Sequence, residues 1–165
     1  MAFILPDGLM RGTHDWTPKL TNRFFFSFEE DPTTKLLCRS VNRPSLNFND
    51  VRVPHPNKTR YEKGKGEHDP VNVTLLDYVT PSSAQFVEEW VKTHSEMITG
   101  RDGYSAFFRR TCTIEVFGPV GDVVERWDYL NCKINSVDYG ALDWDSDEPV
   151  QITLTVRYDD YVLRF

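Results

Sequence analysis

The search for chemistry begins with histidine and cysteine, because these side chains supply many nucleophiles, general bases and metal ligands. No histidine belongs to an HExxH pattern and no two cysteines form a CxxC pair, so no zinc site of familiar spacing is predicted. We expect His94 at the edge of a core, and Cys112 and Cys132 within it, because His94 lies on a helical apolar stripe and both cysteines lie in alternating strands.

Two further motifs resemble binding loops without completing them. Residues 143–147 (Asp-Trp-Asp-Ser-Asp) imitate the start of a calcium loop, which also needs Gly at its sixth position and Glu at its twelfth. Here those positions hold Glu148 and Leu154. Gly64-Lys65-Gly66 lacks the surrounding pattern of a phosphate loop. We therefore expect no catalytic residue, no metal site and no cofactor, and the sequence favours a structural or binding protein over an enzyme.

Length and charge narrow the class further. The chain has 165 residues with 19 basic and 25 acidic side chains, a net charge of −6. This length suits a single domain over 1–165. The acidic balance argues against a nucleic-acid-binding domain, which needs surplus Lys and Arg, and no apolar run is long enough for a membrane anchor. Three cysteines, an odd number without close pairing, fit a reducing compartment.

The charge is unevenly distributed. Residues 1–70 hold 11 basic and 9 acidic groups, whereas residues 71–165 hold 8 basic and 16 acidic groups. Either these are two solvated surfaces, or the basic part of one copy attracts the acidic part of another. On the second hypothesis the inter-subunit residues are Arg52, Lys58, Arg60, Lys63 and Lys65 on the basic side, and Asp143, Asp145, Asp147 and Glu148 on the acidic side.

Alternating apolar residues predict most of the chain as β-structure. Phe24, Phe26 and Phe28 share one strand face, and we expect residues 35–40 to return beside them as a hairpin after a turn at 31–34. Further strands are predicted at 71–77, 111–117, 123–137 and 150–158. The fold class is therefore mainly β with one helix: an antiparallel barrel or sandwich with a flanking helix and a long inter-strand arm.

Three segments complete the expected organisation. One apolar stripe, made of Val87, Trp90, Val91, His94 and Ile98, predicts the helix over 82–99. Thr80 is the candidate N-cap and Pro81 suits the first helical position. Residues 1–20 show no periodicity and predict an irregular arm. Residues 41–69 are basic and rich in Pro and Gly, and we expect an extended inter-subunit arm that pairs at most as a short ribbon.

The last strand presents one polar face. Its alternation places Gln151, Thr153, Thr155 and Arg157 opposite an apolar set. In an assembled wall such a face would meet either a channel or a surrounding sheath, and the periodicity does not distinguish the two.

The order of these elements resembles the tail tube protein of contractile-tailed, T-even-like bacteriophages. The resemblance spans nearly the whole chain. It rests on the Phe-rich strand at 22–28, its partner at 35–39, the basic arm at 41–69 and the helix motif at 86–90. Its most specific part is Leu-Asp-Trp-Asp-Ser-Asp at 142–147 followed by the strand at 152–159.

The resemblance implies a structural virion protein. Six copies would form a ring, and rings would stack into the hollow inner tail tube, a conduit for the genome through the host envelope as the sheath contracts. The implied partners are other copies of the chain, the sheath protein, the baseplate, the tape-measure protein, the tail terminator and passing DNA without specific binding. The protein would be assembled in the host cytoplasm and located in the virion tail. We expect a net negative lumen, which would repel phosphate.

Two alternatives remain at this point. One is a related role, as a tube-like baseplate or terminator subunit or as the tube protein of type VI secretion. The other, more remote, is a small β-barrel enzyme or binding module, which would need a deep pocket lined by Trp127 or Trp144 with nearby carboxylates.

Overall fold

A computed structural model describes residues 18–29, 35 and 37–165. The described part is mostly antiparallel β-structure, as the sequence predicted. The strands are β1 (Phe24–Phe28), β2 (Cys38–Val41), β3 (Leu46–His55), β4 (Lys58–His68), β5 (Val71–Leu76), β6 (Ser95–Glu96), β7 (Arg101–Asp102), β8 (Arg110–Phe117), β9 (Val123–Asp138), β10 (Gln151–Arg157) and β11 (Asp160–Leu163), and the helices are α1 (Ser83–His94) and α2 (Ser105–Phe108).

Seven strands form the main sheet in the order β1-β8-β9-β10-β5-β2, with β11 also paired to β9. The long strand β9 joins two layers: its first part pairs with β8 and β11, and its last part pairs with β10. Asn131, with φ of 57°, lies between these parts. The result is sandwich-like. The sheet is not closed into a barrel, since β1 and β2 remain as its outer strands.

The core lies between the two layers and under helix α1. Val73, Leu75, Ile152 and Leu154 come from the β5–β10 pair and are almost wholly buried. The aromatic side of the core comes from β1, β8 and the helix, where the ring centroids of Phe28 and Trp90 lie 5.1 Å apart. Cys112 and Cys132 are both buried in this core, as expected.

The predicted hairpin between β1 and residues 35–40 is wrong. Strand β1 pairs with β8, with Phe26 opposite Ile114, whereas β2 pairs with β5, with Val41 opposite Val73. Periodicity identifies the buried face of a strand but not its neighbour, and here each strand gains more by packing against a distant apolar strand. The predicted turn at 31–34, and the arm at 1–20 except for residues 18–20, lie outside the described residues.

Helix α1 is shorter than the predicted 82–99. Ser82 rather than Thr80 is the N-cap, and its side chain accepts a hydrogen bond from the Gln85 amide. The Asp77 carboxylate also accepts the amides of Ser83 and Ala84 at 2.9 and 3.3 Å, which satisfies further free donors of the first turn. The helix ends at His94, and the chain continues into the small β6–β7 ribbon.

Residues 41–69 are more regular than expected. Strands β3 and β4 form a long antiparallel hairpin joined by a two-residue turn, with Leu46 opposite His68 at its base and His55 opposite Lys58 at its tip. Strand β11 was not predicted at all. It adds Asp160–Leu163 to the edge of β9, and beyond it the Arg164 amide donates to the Arg126 carbonyl while the Arg126 amide donates to the Phe165 carbonyl.

Candidate inter-subunit surfaces

The β3–β4 hairpin is fixed at its base. Ser45 Oγ and Asn47 Nδ2 both donate to Asp69 Oδ2, at 2.9 and 2.7 Å. The Tyr158 hydroxyl donates to the Ser45 carbonyl at 3.3 Å, and the His68 ring packs 5.2 Å from the Tyr158 ring. These contacts hold the start and end of the hairpin against Tyr158, the residue that follows strand β10.

Beyond its base the hairpin is exposed on both faces. Almost every residue of β3 and β4 is solvent-exposed, including the large apolar side chains of Phe48, Val51 and Tyr61. Ten residues of strand reach about 30 Å at ~3.3 Å per residue. A two-stranded ribbon of this kind is only marginally stable alone, so its apolar residues call for a partner surface.

The five predicted cations all lie on this hairpin, on both of its faces. Cross-strand register places Arg52 opposite Tyr61, on one face, and Val53 opposite Arg60, on the other. Lys63 Nζ lies 3.9 Å from the centre of the Phe48 ring. Arg60 pairs with Glu62 at 2.7 Å within the hairpin. No described residue forms an ion pair with Arg52, Lys58 or Lys65, so the charges of these three side chains are available to a neighbouring subunit.

Glycine is required where the two strands approach most closely. A Cβ at Gly64 would lie 2.4 Å from the Asn49 carbonyl oxygen, and one at Gly66 would lie 3.0 Å from the Phe48 ring. The pairing shifts register between Phe48 and Asp50, which places the extra residue of a bulge in β4. The glycines therefore shape the hairpin, and they are not part of a phosphate-binding loop.

The acidic residues predicted as the complementary surface lie on an exposed loop between β9 and β10. Asp143, Asp145, Asp147 and Glu148 are all exposed. The loop is shaped by its own polar groups, since Asp143 Oδ1 accepts the Asp145 amide at 3.1 Å and Ser146 Oγ accepts the Glu148 amide at 3.3 Å. We call residues 138–150 the acidic loop; it contains five acidic side chains and no cation.

The hairpin and the acidic loop leave the sheet at opposite ends of one strand pair. The hairpin precedes Val71, which pairs with Val156, and the acidic loop precedes Gln151, which pairs with Leu76. The six residues of β5 separate these two ends by about 17 Å. We call them the hairpin end and the loop end. The structure therefore does not bring the predicted basic and acidic residues together within one subunit.

The predicted polar face of β10 is the open face of the sheet. Thr153 and Arg157 are exposed and Gln151 and Thr155 half-exposed, while the intervening residues are buried. Thr155 Oγ1 donates to Asn72 Oδ1 at 3.2 Å. Register adds Lys133 opposite Arg157 and Asp138 opposite Thr153. The face is mainly uncharged and polar, and the acid excess of residues 71–165 lies elsewhere, largely in the acidic loop.

The most buried carboxylates are structural. Both oxygens of Asp128 accept hydrogen bonds, from Thr113 Oγ1 and Arg126 Nε on one oxygen and from Arg164 Nε on the other, at 2.8–3.1 Å. Burial alone would raise the pKa of Asp128, but these donors together lower it. An ionised, fully paired carboxylate is a poor general acid or base, so this network holds β11 against β8 and β9.

Glu125 belongs to a second such network. It accepts hydrogen bonds from Lys19 and from the Trp127 indole, and Arg43 lies 3.6 Å away. Burial opposes ionisation, yet these donors and the Arg43 charge lower the pKa of Glu125 overall. Trp127 is therefore engaged with Glu125 by its N–H, and Trp144 is fully exposed on the acidic loop. Trp144 borders a concave region of the acidic loop together with Asp143 and Glu148, but this region is open to solvent and is not the deep pocket that the enzyme alternative requires.

The remaining candidates are also engaged in the fold. His94 Nδ1 lies 2.9 Å from the Trp90 carbonyl, and its Nε2 accepts the Ile134 amide at 3.2 Å, so the ring ties the end of α1 to β9. Burial raises the pKa of the Cys112 thiol, which makes it unreactive. In the described ranges no group of three or more His, Cys, Asp or Glu is placed to bind a metal ion.

One surface was not identified from the sequence. Residues Met97, Ile98, Tyr104 and Phe107, which we call the apolar tip, surround the β6–β7 ribbon and α2 and are 68–95% exposed. The helix stripe had assigned Ile98 to a buried face. The glycines at 100 and 103 were the sequence signal that the chain leaves the helix and turns here. Gly100 adopts φ of 67°, and a Cβ at Gly103 would lie 2.2 Å from the Thr93 carbonyl oxygen.

No helix in the described part of the chain is both long and apolar enough to span a bilayer.

No family model matches the sequence, and no curated protein matches it. Solved structures do match at the level of fold. The tube-terminating cap of the anti-feeding prophage aligns with TM-score 0.75 and 13% identity, over 94% of this chain and 96% of that chain. A chain of the sheath–tube complex of an extracellular contractile injection system (PVC), in the extended state, aligns with TM-score 0.69 and 14% identity, over 90% and 93%.

More distant matches include Hcp1 from Flavobacterium johnsoniae, with TM-score 0.50 and 10% identity over 86% of this chain and 94% of that chain. At these identities the likeness shows the fold alone. The chain therefore has the fold of chains from contractile injection tube, cap and terminator assemblies. None of these neighbours is named as an enzyme.

Proposed function

We propose that this protein is a tube subunit of a contractile tail or injection machine, whose copies form six-membered rings that stack into a hollow conduit. The observation that carries the proposal is the β3–β4 hairpin, a long, cationic and partly apolar ribbon that is anchored at its base and exposed along its length. A subunit with such an extension is complete only when another copy covers it. The shared fold with tube and cap chains supports this reading.

The placement of charge supports the proposed stacking. The hairpin end presents Arg52, Lys58 and Lys65, and the loop end presents the acidic loop about 17 Å away along the strands. A contact between opposite ends of two copies leaves the other end of each copy free to bind a further copy, so the contact can repeat along a stack. Each exposed ion pair contributes only ~0–1 kcal/mol, but several pairs per subunit around a ring set the register between rings.

The channel wall would be the open face of β5, β9 and β10. Thr153, Thr155 and Asn72 give it hydroxyl and amide groups with few charges. Such a face has few cations that could bind the phosphates of passing DNA. Lys133 and Arg157 outnumber Asp138 on this face, so the net negative lumen that we expect requires acidic side chains from beyond it. The acidic loop, which adjoins Gln151, is the source that we propose.

In a phage tail this conduit would carry the genome through the host envelope during sheath contraction, with the sheath, baseplate, tape-measure protein and terminator as further partners. Assembly in the host cytoplasm and a final place in the virion tail belong to the same proposal. A tube protein of type VI secretion is the related alternative, and the Hcp match gives it lower fold similarity.

A second candidate is a tube cap or terminator that forms one ring. It is favoured by one observation, the higher TM-score of the AFP cap chain, 0.75 against 0.69 for the PVC tube complex.

Electron microscopy of the purified, concentrated protein distinguishes the candidates. A tube subunit gives hollow filaments with six-fold end views, and a cap gives single rings that do not lengthen with concentration. Particles that remain single subunits at every concentration would contradict both.

A further inference from the structure

Besides the apolar side chains of the hairpin, two clusters of strongly exposed apolar side chains lie at the two ends of the subunit. At the loop end, Val79, Leu142 and Trp144 are 85–103% exposed. At the other end lies the apolar tip, Met97, Ile98, Tyr104 and Phe107. Clusters of large exposed apolar side chains on a folded domain mark surfaces that a partner covers.

Three contacts place the apolar tip at the hairpin end. Helix α1 starts at the loop end, where Ser83 Oγ donates to the Leu76 carbonyl at 2.6 Å, and its last residue, His94, accepts the Ile134 amide beside Val156. The segment after it returns to the same place, because Arg109 pairs with Asp159. The apolar tip and the base of the hairpin therefore flank the turn between β10 and β11.

The charges around the two apolar clusters are opposite. Trp144 lies within the acidic loop, which has five acidic side chains and no cation. The chain around the apolar tip carries Lys92, Arg101, Arg109 and Arg110 against Glu96, Asp102 and Asp159, the last of which pairs with Arg109, and the net charge is +1. An anionic loop with an exposed indole at its centre thus meets an apolar surface with a small positive net charge. Buried indoles are frequent energetic centres of protein interfaces.

We propose that Trp144 and Leu142 of one subunit pack onto the apolar tip of a second copy in the next ring. This rests on the proposed function and adds to it an apolar anchor, with Trp144 as the side chain that contributes most. The hairpin and the acidic loop then supply charge around this contact. The contact is heterologous, so each subunit donates its loop end to one neighbour and accepts a loop end at its tip from another.

Disulfide cross-linking tests the contact in the full chain. The double variant Trp144→Cys with Ile98→Cys should form, under mild oxidation of filaments, a ladder of linked chains that extends beyond six on a non-reducing gel. Both positions are exposed, so the fold should be retained; Cys112 and Cys132 are buried, and the half-buried Cys38 is present in the control as well. The matched control pairs Glu89→Cys with Ile98→Cys. Glu89 is exposed in the middle of α1, away from either end, and should give no ladder.

Each outcome decides the inference. A ladder that stops at six chains would place the contact within a ring and overturn the axial assignment. Filaments that form without any ladder would overturn the inference and leave the proposed function intact, whereas a wild-type protein that forms neither filaments nor rings would refute the proposed function itself.

A second measurement does not depend on cysteines. Trp144→Ala should raise the concentration needed for assembly by at least about tenfold, as for a central interface residue, and Trp144→Phe should restore part of the loss. Val120→Ala shortens another strongly exposed apolar side chain, at the β8–β9 turn, and should leave that concentration unchanged. An unchanged assembly concentration for Trp144→Ala would overturn the inference. It would do so equally if the unassembled subunit were found to bind vesicles of anionic lipid through Trp144.

Discussion

Ser45 Oγ donates a hydrogen bond to Asp69 Oδ2 over 2.9 Å and closes the base of the β3–β4 hairpin. The same carboxylate oxygen accepts Asn47 Nδ2 at 2.7 Å. One side chain thus links the residues that lead into β3 with the residue that follows β4. Because the rest of the hairpin is exposed, its direction relative to the core depends on these few contacts.

Asp69→Ala should therefore impair assembly far more than stability. The lost hydrogen bonds are solvent-exposed, so we expect a change in the free energy of unfolding below about 1 kcal/mol. The hairpin would no longer be held in one direction, and the concentration required for assembly should rise. Sedimentation measures that concentration and thermal unfolding measures stability. Asp69→Asn keeps an acceptor oxygen and serves as the control.

Charge reversal at Lys63 and Lys65 should prevent polymerisation and leave the monomer folded. Both side chains lie on the hairpin, away from the core, and Glu at these positions would repel the acidic loop of a neighbour. Combining this double reversal with Asp143→Lys and Asp145→Lys should restore filaments, as judged by electron microscopy. Glu89→Lys, a charge reversal at an exposed position in the middle of α1 and away from either end, is the control. Normal tubes from the Lys63→Glu, Lys65→Glu variant would count against the contact.

Stability should fall in acid because of Asp128. Its pKa is lowered in the folded protein, since donors from Arg164, Arg126 and Thr113 outweigh the cost of burial. Its contribution is therefore complete above its unfolded pKa, about 3.9, and is lost as pH falls below that value through the folded pKa. Thermal unfolding between about pH 6 and pH 2 measures this loss. Asp128→Asn should be less stable at pH 6 and show a shallower slope.

Trp90→Ala should destabilise the core strongly. The indole is fully buried against Phe28, and its Nε1 donates to the Phe108 carbonyl at 2.7 Å. We expect a loss of about 3–5 kcal/mol in denaturant unfolding. Trp90→Phe retains the aromatic contact and loses the hydrogen bond, so its cost should be smaller, about 1–2 kcal/mol. Equal costs for the two substitutions would show that ring packing at this site is unimportant.

The sequence predicted the elements whose apolar pattern is a direct consequence of burial. In β10 the buried Ile152, Leu154 and Val156 alternate with exposed or half-exposed residues, and β5 is similarly clear. In β8 the apolar residues alternate in sequence, although Thr113 is buried between Cys112 and Ile114 and donates to Asp128. Neighbour choice was not predictable in this way. Phe26 and Phe28 carry the same period-two signal whether they lie beside β2 or β8, and only the assembled core decides between them.

Element ends depended on single hydrogen bonds. Thr80 and Ser82 are both acceptable caps by residue type, and the position of Asp77 beside the amides of Ser83 and Ala84 selects the later start. Ile98 continued the helical stripe by spacing, yet the helix ended at His94. The cationic and acidic candidate surfaces were visible in the charge pattern, whereas their separation to opposite ends of β5 and β10 follows from strand register alone.

The most direct test of the central claim is a cryo-electron microscopy reconstruction of the protein at high concentration. We predict stacked six-membered rings around an open channel, with the β3–β4 hairpin of each subunit in contact with the next ring and Thr153 and Thr155 facing the channel. A reconstruction in which every hairpin touches only its own subunit, or a protein that stays a single particle throughout, would contradict the account.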